Sequence, residues 1–254
     1  MDRQISTGSD DALALAELVR RAGSVVALTG AGISVASGIP DFRTPGTGIW
    51  ANVDPMAVAH IDAWRANPER FWSFYRERLR MLGDKAPNAA HRALVALEQR
   101  GLLHGVITQN IDMLHRRAGT RELVEVHGSI ATCSCLSCGR RAPSATVLEQ
   151  LACSGVPSCA CGRPLKPDVV LFGELLPPAA LERAMQLAAG ADLLLCIGSS
   201  LEVYPVAQLP AITLRRGGEV VIVTQGPTPY DARAVLRLGG DVQRELQALV
   251  AALG

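Results

Sequence analysis

The sequence has no excess of charge, no long apolar run and no export signal. Its 25 basic residues balance 24 acidic ones, so nonspecific binding to nucleic acid or to an anionic membrane has no electrostatic basis. The most apolar stretches, such as 191–197, are far shorter than the roughly 20 residues that span a bilayer. Residues 1–10 lack the basic start and apolar run of a secretory signal. We therefore expect a cytoplasmic protein with no nucleic-acid or membrane partner.

Cysteine is scarce outside one segment, which argues against a disulfide framework. Six of the seven cysteines fall between Cys133 and Cys161, and clustered thiols indicate a metal site. Two close pairs, Cys135 with Cys138 and Cys159 with Cys161, offer four thiolates for one tetrahedral Zn²⁺. Four protein ligands leave no position for water or substrate, so the zinc is predicted to be structural. Cys133 competes with Cys135 as a ligand, but only Cys135 gives the two-residue spacing.

Apolar strands alternate with amphipathic helices over most of the 254 residues. The continuous apolar run within 24–29 is typical of a parallel strand that is covered on both faces. The alternation predicts an α/β fold with a mostly parallel sheet, whose ligands sit beyond the carboxyl ends of the strands. The predicted elements are helices at 11–22, 90–100 and 178–189 and strands at 24–29, 105–108, 192–197 and 219–223.

Two segments interrupt this alternation and are interpreted as one smaller domain. Residues 40–86 read as loop and then helix, and residues 129–167 hold the cysteines. The larger domain is then formed by 11–39, 87–128 and 168–254.

A glycine pair follows the first strand. Gly30 and Gly32 would let the backbone approach a pyrophosphate closely. The third glycine is Gly38 rather than residue 35, so this is not the dehydrogenase fingerprint, and a tight strand-to-helix turn is the structural alternative. The triplet Asp41-Phe42-Arg43 then suits a mobile lid over a nucleotide; a solvated ion pair around a core phenylalanine is its alternative.

Polar residues are concentrated at the tip of a later strand. Gln109, Asn110 and Asp112 could bind a ribose and a carboxamide through directional hydrogen bonds. The competing interpretation is that Asp112 only caps a helix at 113–118. His127 closes a short β-like run just before the cysteine segment, which favours a catalytic base over a structural histidine.

In this order, the motifs resemble those of the sirtuins. The matching runs are Gly30-Ala31-Gly32-Ile33-Ser34, Gly38 to Arg43, Gln109-Asn110-Ile111-Asp112, His127-Gly128 and the cysteine pairs, with further matches at Val169-Val170-Leu171-Phe172-Gly173-Glu174 and Gly198-Ser199-Ser200. The likeness spans about 22–242. It implies a Rossmann-like sheet with helices on both faces and a smaller zinc-binding and helical domain formed by two insertions.

The resemblance also implies a reaction. Sirtuins use NAD to remove acyl groups from lysine side chains of proteins or peptides, and they release nicotinamide and O-acyl-ADP-ribose. His127 would be the general base that activates a ribose hydroxyl, a role that suits imidazole. Asn110 would be the second catalytic residue.

The resemblance assigns the remaining site residues by position. NAD would contact Gly30, Ala31, Gly32, Ile33, Asp41, Phe42, Arg43, Trp50, Gln109, Asn110, Ile111, Asp112, His127, Gly198, Ser199, Ser200, Thr224, Gln225, Gly226 and Val242. The acylated peptide would contact Val169, Val170, Phe172, Gly173 and Glu174. The family commonly has an asparagine against the adenosine ribose where this chain has Thr224-Gln225-Gly226, so that contact is left open.

The helix that contains Tyr75 and Arg78 bears on the acyl group. The two residues are three apart and share a helix face, and the pattern resembles sirtuins that prefer succinyl or malonyl lysine, where tyrosine and arginine bind a carboxylate. The alternative is a surface arginine beside a partly buried tyrosine. Asp41 is more usual in deacetylating relatives, so we expect deacetylation to coexist.

Other functions remain open at the level of sequence. Protein mono-ADP-ribosyl transfer shares NAD cleavage, and an NAD-sensing binding module would use the zinc segment to dock a partner. An NAD-linked dehydrogenase is disfavoured by the glycine spacing. The sequence leaves the oligomeric state undetermined, with a monomer as one option.

Overall fold

The computed structural model describes residues 9–42, 44, 46, 48, 49 and 53–254. The strands are β1 (Val25–Thr29), β2 (Val106–Thr108), β3 (Leu123–Glu125), β4 (Gly128–Cys135), β5 (Arg141–Pro143), β6 (Leu165–Val169), β7 (Leu193–Ile197), β8 (Glu219–Val223) and β9 (Leu236–Leu238). The helices are α1 (Ser9–Arg21), α2 (Pro55–Val58), α3 (Ile61–Ala66), α4 (Pro68–Gly83), α5 (Ala89–Gln99), α6 (Leu114–Ala118), α7 (Ser144–Cys153), α8 (Pro178–Gly190), α9 (Leu209–Arg215) and α10 (Val242–Leu253). Short 3₁₀ helices cover Ala31–Ser37, Val206–Gln208 and Asp231–Arg233.

The larger sheet is parallel, and its strands lie in the order β3-β2-β1-β7-β8-β9. Every residue of β1 and β7 is buried, because successive side chains point to opposite faces and both faces are covered. Val25 and Ala27 pack in a cluster with α1, α5 and α10. Val26 and Leu28 pack in a second cluster with α8 and α9. The predicted α/β class is confirmed.

The smaller sheet is antiparallel, in the order β5-β4-β6. Its apolar side chains share one buried cluster with α3, α4 and α7. Two tryptophans join these helices to the sheet: the Nε1 atoms of Trp72 and Trp64 donate to the Leu165 carbonyl over 2.9 and 3.4 Å. The domain boundaries at 40–86 and 129–167 stay a prediction.

Strand register brings distant loops to one edge of the large sheet. Thr29, the last residue of β1, lies opposite Thr108 on one side and Ile197 on the other. The chain segments that follow these three residues therefore meet beyond the carboxyl ends of the strands. Across the described residues, no helix combines the length and apolar character needed to cross a membrane.

Candidate functional site

Glycines allow two loops to meet at this edge. A Cβ on Gly30 would lie 2.7 Å from the Gly198 carbonyl oxygen, and one on Gly32 would lie 2.7 Å from the Gly198 Cα. The amide of Gly32 donates to the Gly198 carbonyl over 2.8 Å. Gly198 itself has a φ of 60°, which favours glycine. The sequence interpretation assigned the glycines to pyrophosphate approach; in the structure they also permit loop-to-loop contact. The following segment is a 3₁₀ helix, with Ile33 fully buried.

Asn110 and Asp112 belong to one buried network. The Asn110 Nδ2 donates to the Gly30 carbonyl over 3.0 Å and lies 3.2 Å from the Ser34 hydroxyl. Ser34 in turn donates to Asp112 Oδ2 over 2.6 Å. Burial raises the pKa of Asp112, while the Ser34 hydrogen bond opposes that rise.

Asp112 also performs the helix-end role that was the competing interpretation. Its Oδ1 accepts from the Leu114 amide over 2.9 Å, at the start of α6, where Met113 has a φ of 65°. One carboxylate therefore serves both the site and the helix start. Ile111 lies between these polar residues, and its carbonyl accepts from the Ile130 amide over 3.1 Å.

His127 lies beside the same strand tip. Its Nδ1 is 2.9 Å from the Gln109 carbonyl oxygen, so in the neutral ring Nδ1 carries the hydrogen and Nε2 keeps a lone pair. Burial lowers the pKa of His127, and the Gln109 hydrogen bond partly opposes this. The ring is thus neutral at pH 7 and able to accept a proton at Nε2. The side-chain amide nitrogen of Gln109 donates a hydrogen bond to the Ser199 hydroxyl oxygen over 2.9 Å.

The predicted lid is only partly covered by the described residues. Asp41 Oδ1 accepts from the Thr44 amide over 2.7 Å, and its other oxygen accepts from the Thr44 hydroxyl. The Arg78 guanidinium lies over the Phe42 ring, with the Arg78 Cζ atom 5.5 Å from the ring centroid. Arg43 and Trp50 lie outside the described residues.

Tyr75 and Arg78 lie together on α4. The Tyr75 ring is buried and stacks on Phe71, with centroids 4.3 Å apart. Burial raises the pKa of Tyr75 to about 12, against an opposing effect of Arg78 and with a smaller contribution from Glu174. Burial also lowers the pKa of Arg78. Arg78 is half-buried beside Tyr75, and the choice between an acyl pocket and a surface arginine stays a prediction.

The segment assigned to peptide binding is fixed on both sides. The Val170 amide donates to the His127 carbonyl over 2.8 Å, and the Phe172 amide donates to the Ala59 carbonyl over 2.9 Å. Val169 ends β6 and pairs with Gly128. The Phe172 side chain is 45% exposed.

The Glu174 carboxylate is half-buried and contacts other residues of the protein. Its Oε2 lies 2.9 Å from Lys166 Nζ and accepts from the Leu171 amide over 2.9 Å. Lys166 is buried and also donates to the Val169 carbonyl over 2.7 Å. Gly173 has a φ of 83°, and a Cβ there would lie 2.7 Å from His60 Nε2. Sequence analysis missed Lys166, and its strand, Leu165-Lys166-Pro167-Asp168-Val169, has no apolar pattern that would have indicated a buried lysine.

The residues assigned to the adenosine end adjoin the Gly198 loop. The Gly198 amide donates to Val223, and the Thr224 amide donates to Leu238 over 3.0 Å. Arg237 was missed by sequence analysis: its Nη2 donates to the Gly226 carbonyl over 2.9 Å and lies 3.5 Å from that of Gln225. An arginine between two leucines of a strand was the available signal. Ser200 is half-buried, and Val242 is the half-buried first residue of α10.

The four predicted zinc ligands meet at one point. The sulfur atoms of Cys135, Cys138, Cys159 and Cys161 all lie within 4.8 Å of one another. This donor set suits tetrahedral zinc with no open position. A hydrogen bond from the Cys138 backbone lowers the pKa of the Cys135 thiol to about 6. Cys133 is buried elsewhere, with its Sγ 3.8 Å from the Ser144 hydroxyl, so the choice of Cys135 over Cys133 is confirmed.

Known proteins are similar to this chain in sequence. The "NAD-dependent protein deacetylase" of Sulfolobus acidocaldarius is 46% identical over 228 residues, covering 89% of each chain. The "NAD-dependent protein deacetylase 1" of Geobacillus kaustophilus is 45% identical over 230 residues, covering 89% of this chain and 93% of the relative.

Solved structures agree with the sequence relatives. A Sir2 structure with a deacetylated p53 peptide and 3′-O-acetyl ADP ribose superposes with a TM-score of 0.90 at 41% identity, covering 94% of this chain and 96% of that chain. Sir2Tm bound to a propionylated peptide gives 0.87 at 39% identity, covering 95% and 98%. The model of the Sir2 family matches residues 30–205. The chain therefore belongs to the Sir2 family.

Proposed function

We propose that this protein is an NAD-dependent protein lysine deacylase that releases nicotinamide and O-acyl-ADP-ribose. The observation that carries the proposal is the neutral His127 ring, oriented by the Gln109 carbonyl beside the buried pair Asn110 and Asp112. Support comes from the names of the relatives, which are NAD-dependent protein deacetylases. The related Sir2 structure with a deacetylated peptide and an acetyl ADP-ribose supports the same reaction.

We place the dinucleotide at the edge of the large sheet where the Gly30 and Gly198 loops meet. The glycines expose backbone where a Cβ would collide with the facing loop, and hydroxyl and amide groups of Ser199, Gln109 and Asn110 surround it. Such groups recognise phosphate and ribose. We assign to NAD the residues Gly30, Ala31, Gly32, Ile33, Asp41, Phe42, Gln109, Asn110, Ile111, Asp112, His127, Gly198, Ser199, Ser200, Thr224, Gln225, Gly226 and Val242.

NAD, when bound, supplies a glycosidic bond whose cleavage leaves a ribose carbon open to the acyl oxygen. His127 Nε2 takes a proton from a ribose hydroxyl, because the Gln109 carbonyl holds the ring in the tautomer with a free Nε2. Asn110 is held in one orientation by Gly30 and Ser34, so it can contact the nicotinamide ribose without reorganising.

The zinc proposed for the four cysteines is structural. It would join β4, which begins directly after His127, to the turn that contains Cys159 and Cys161. A four-thiolate site excludes substrate from the metal, so the metal holds the smaller sheet together and takes no part in acyl transfer.

Acylated lysine peptides are the proposed protein partners. The segment with Val169, Val170, Phe172, Gly173 and Glu174 borders His127 through the Val170 hydrogen bond. The half-exposed Phe172 side chain offers an apolar contact for the peptide. The inward-facing Glu174 would fix the shape of the segment rather than touch the peptide.

For the acyl group, we propose that Tyr75 and Arg78 bind the carboxylate of succinyl or malonyl lysine, alongside deacetylation. Among the described residues, no ion pair joins Arg78 to a carboxylate, whereas Arg76 and Arg80 both pair with Glu77. A partly desolvated guanidinium without a carboxylate partner suits an anionic acyl chain. Phe42 packs against its flat face and limits its rotation.

The test compares matched acetyl-lysine and succinyl-lysine peptides. Wild type is incubated with NAD beside Arg78→Met and the control Arg80→Met, whose arginine is 49% exposed. Loss of a charge-assisted hydrogen bond predicts a fall of about 10- to 100-fold in kcat/KM for the succinyl peptide with Arg78→Met. The control and the acetyl rate are expected to stay near wild type.

Two outcomes would overturn these proposals separately. Equal succinyl rates in wild type and Arg78→Met would refute the acyl pocket while leaving deacylation intact. Mass spectrometry that finds ADP-ribosylated protein, with no O-acyl-ADP-ribose and no freed lysine, would refute deacylation itself.

A further inference from the structure

Two buried histidines that the proposed reaction does not use lie behind the strand tips. His91, in the first turn of α5, is fully buried, and His115, in α6, is 2% exposed. Their rings meet edge to face, with centroids 4.8 Å apart and an interplanar angle of 62°. Burying a ring nitrogen without a hydrogen-bond partner is unfavourable, so such nitrogens are uncommon in protein interiors.

The hydrogen bonds of His91 define its tautomer. Its Nδ1 accepts from the Asn88 amide over 3.4 Å within the capping box of α5. A neutral ring must then carry its hydrogen on Nε2. In the part of the chain that the structure describes, His91 Nε2 and His115 Nδ1 are both buried with no hydrogen-bond partner.

The second ring nitrogen of His115, Nε2, is the one that faces the site. Its Nε2 lies 2.9 Å from the Thr29 hydroxyl, which donates to the Thr108 hydroxyl over 2.9 Å. Thr108 Oγ1 also accepts from the Asn110 amide over 3.1 Å. Because the Thr29 hydrogen is directed at Thr108, the Thr29 oxygen accepts from His115 Nε2–H. His115 Nδ1 is consequently an acceptor without a partner, and the contact of His115 with His91 is the ring-to-ring contact rather than a hydrogen bond.

The histidine and threonine side chains of this hydrogen-bonded group are all uncharged at pH 7. Burial lowers the pKa of His91 to about 4 and that of His115 to about 3. At pH 7 both rings are neutral, so each nitrogen has one fixed role as donor or acceptor. His115 donates to Thr29 and Thr29 donates to Thr108, and these two successive hydrogen bonds strengthen each other in a low-dielectric interior. The Thr108 oxygen also accepts from the Asn110 amide.

We propose that His115, backed by His91, is a positioning residue for Asn110. It acts through the hydroxyls of Thr29 and Thr108, which hold the Asn110 backbone at the tips of β1 and β2. This inference rests on the proposed function, because it assigns an indirect role in NAD cleavage at the same site.

The test uses variants that keep or remove one donor. His115→Gln retains an amide N–H near the former Nε2, while His115→Leu removes it. Thr29→Val breaks the next link with little change of volume, and Thr29→Ser restores the hydroxyl. We expect kcat for nicotinamide release to fall about 10- to 100-fold in His115→Leu and Thr29→Val. His115→Gln and Thr29→Ser should recover most of the loss, and KM for the acyl peptide should stay near wild type.

A second readout does not depend on turnover. Long-range ¹H–¹⁵N spectra of histidine-labelled protein should show both rings neutral at pH 7, with the hydrogen on Nε2 in each. Thr29→Val should shift the His115 signals and leave those of His60 and His104 unchanged.

The outcomes separate this inference from the proposed function. If the wild-type protein shows no deacylation, but its spectra show both Nε2–H tautomers and their shift in Thr29→Val, the proposed function is refuted and the positioning role is not. Hydroxyl-free Thr29→Val with wild-type kcat, or an Nδ1–H tautomer of His115, would overturn the positioning role. If His115→Leu fails to fold, the Thr29 pair decides the matter.

Discussion

The contact between the Gly32 and Gly198 loops gives a sharp prediction for Gly198→Ala. The added Cβ would lie 2.7 Å from the Gly32 carbonyl carbon and closer still to the Ile33 amide nitrogen. One loop must therefore retreat by about 1 Å, a displacement that typically lowers catalytic efficiency about 100-fold. The residue also has a φ of 60°, where alanine is less stable than glycine by about 1–2 kcal/mol.

The assay measures nicotinamide release against NAD concentration, together with the melting temperature. We expect kcat/KM for NAD to fall about 100-fold, with the protein still folded at 25 °C. Gly83→Ala is the matched control, because a Cβ at Gly83 would have no atom within 4 Å and the φ of this glycine is ordinary. If kcat/KM of Gly198→Ala stays within about threefold of wild type, contact between the two loops does not determine the geometry of the NAD site.

Three further predictions concern stability. Cys135→Ser should lower zinc content and melting temperature, whereas Cys153→Ser, at an exposed thiol outside the cluster, should change neither; metal analysis and calorimetry decide this. Lys166→Met removes the ion-pair partner of Glu174, whose side chain is 22% exposed, and should lower the unfolding free energy by about 1–3 kcal/mol in urea titrations; a change below about 0.5 kcal/mol would contradict it. The pKa values of His91 and His115 are lowered from 6.5 to about 4 and about 3, so the unfolded chain binds their protons first as pH falls. The contribution of both neutral rings to the unfolding free energy should be fully present above pH 6.5. Below that pH, the unfolding free energy should fall by about 1.4 kcal/mol per pH unit for each ring, down to those pKa values. An unchanged dependence of the unfolding free energy on pH in His115→Gln would be inconsistent with this.

The large sheet could be predicted from the sequence because its central strands are continuous apolar runs. The run 24–29 and the run 192–197 correspond to β1 and β7, each displaced by one residue at its start. Two short strands carried too little pattern: β3 and β9 each have three residues, and neither was predicted as a strand of the parallel sheet, although the equally short β2 was predicted within 105–108. Periodicity over three residues does not distinguish a strand from a loop.

The same contrast holds in the site. Residues adjacent in sequence, such as Gln109 and Asn110, were predicted together because a motif groups them. Ser34, Thr29 and His115 contribute through contacts 76 to 86 residues away in the chain, and no local pattern indicates such pairs. A lone serine or histidine has a structural interpretation until register brings it beside a partner.

Register explains why the motifs and their missed supports occur in the same place. A one-residue slip of β2 against β1 would turn the Thr108 hydroxyl to the opposite face of the sheet, away from Thr29, and would carry the Asn110 amide bonded to it along. The glycine loop would then face a different residue of the Gln109 strand tip. The motifs therefore define the chemistry only in this register, which the apolar partners of Val25 to Leu28 on the two faces specify. Core substitutions that loosen the register, such as at Ile107, should accordingly reduce NAD turnover before they unfold the chain.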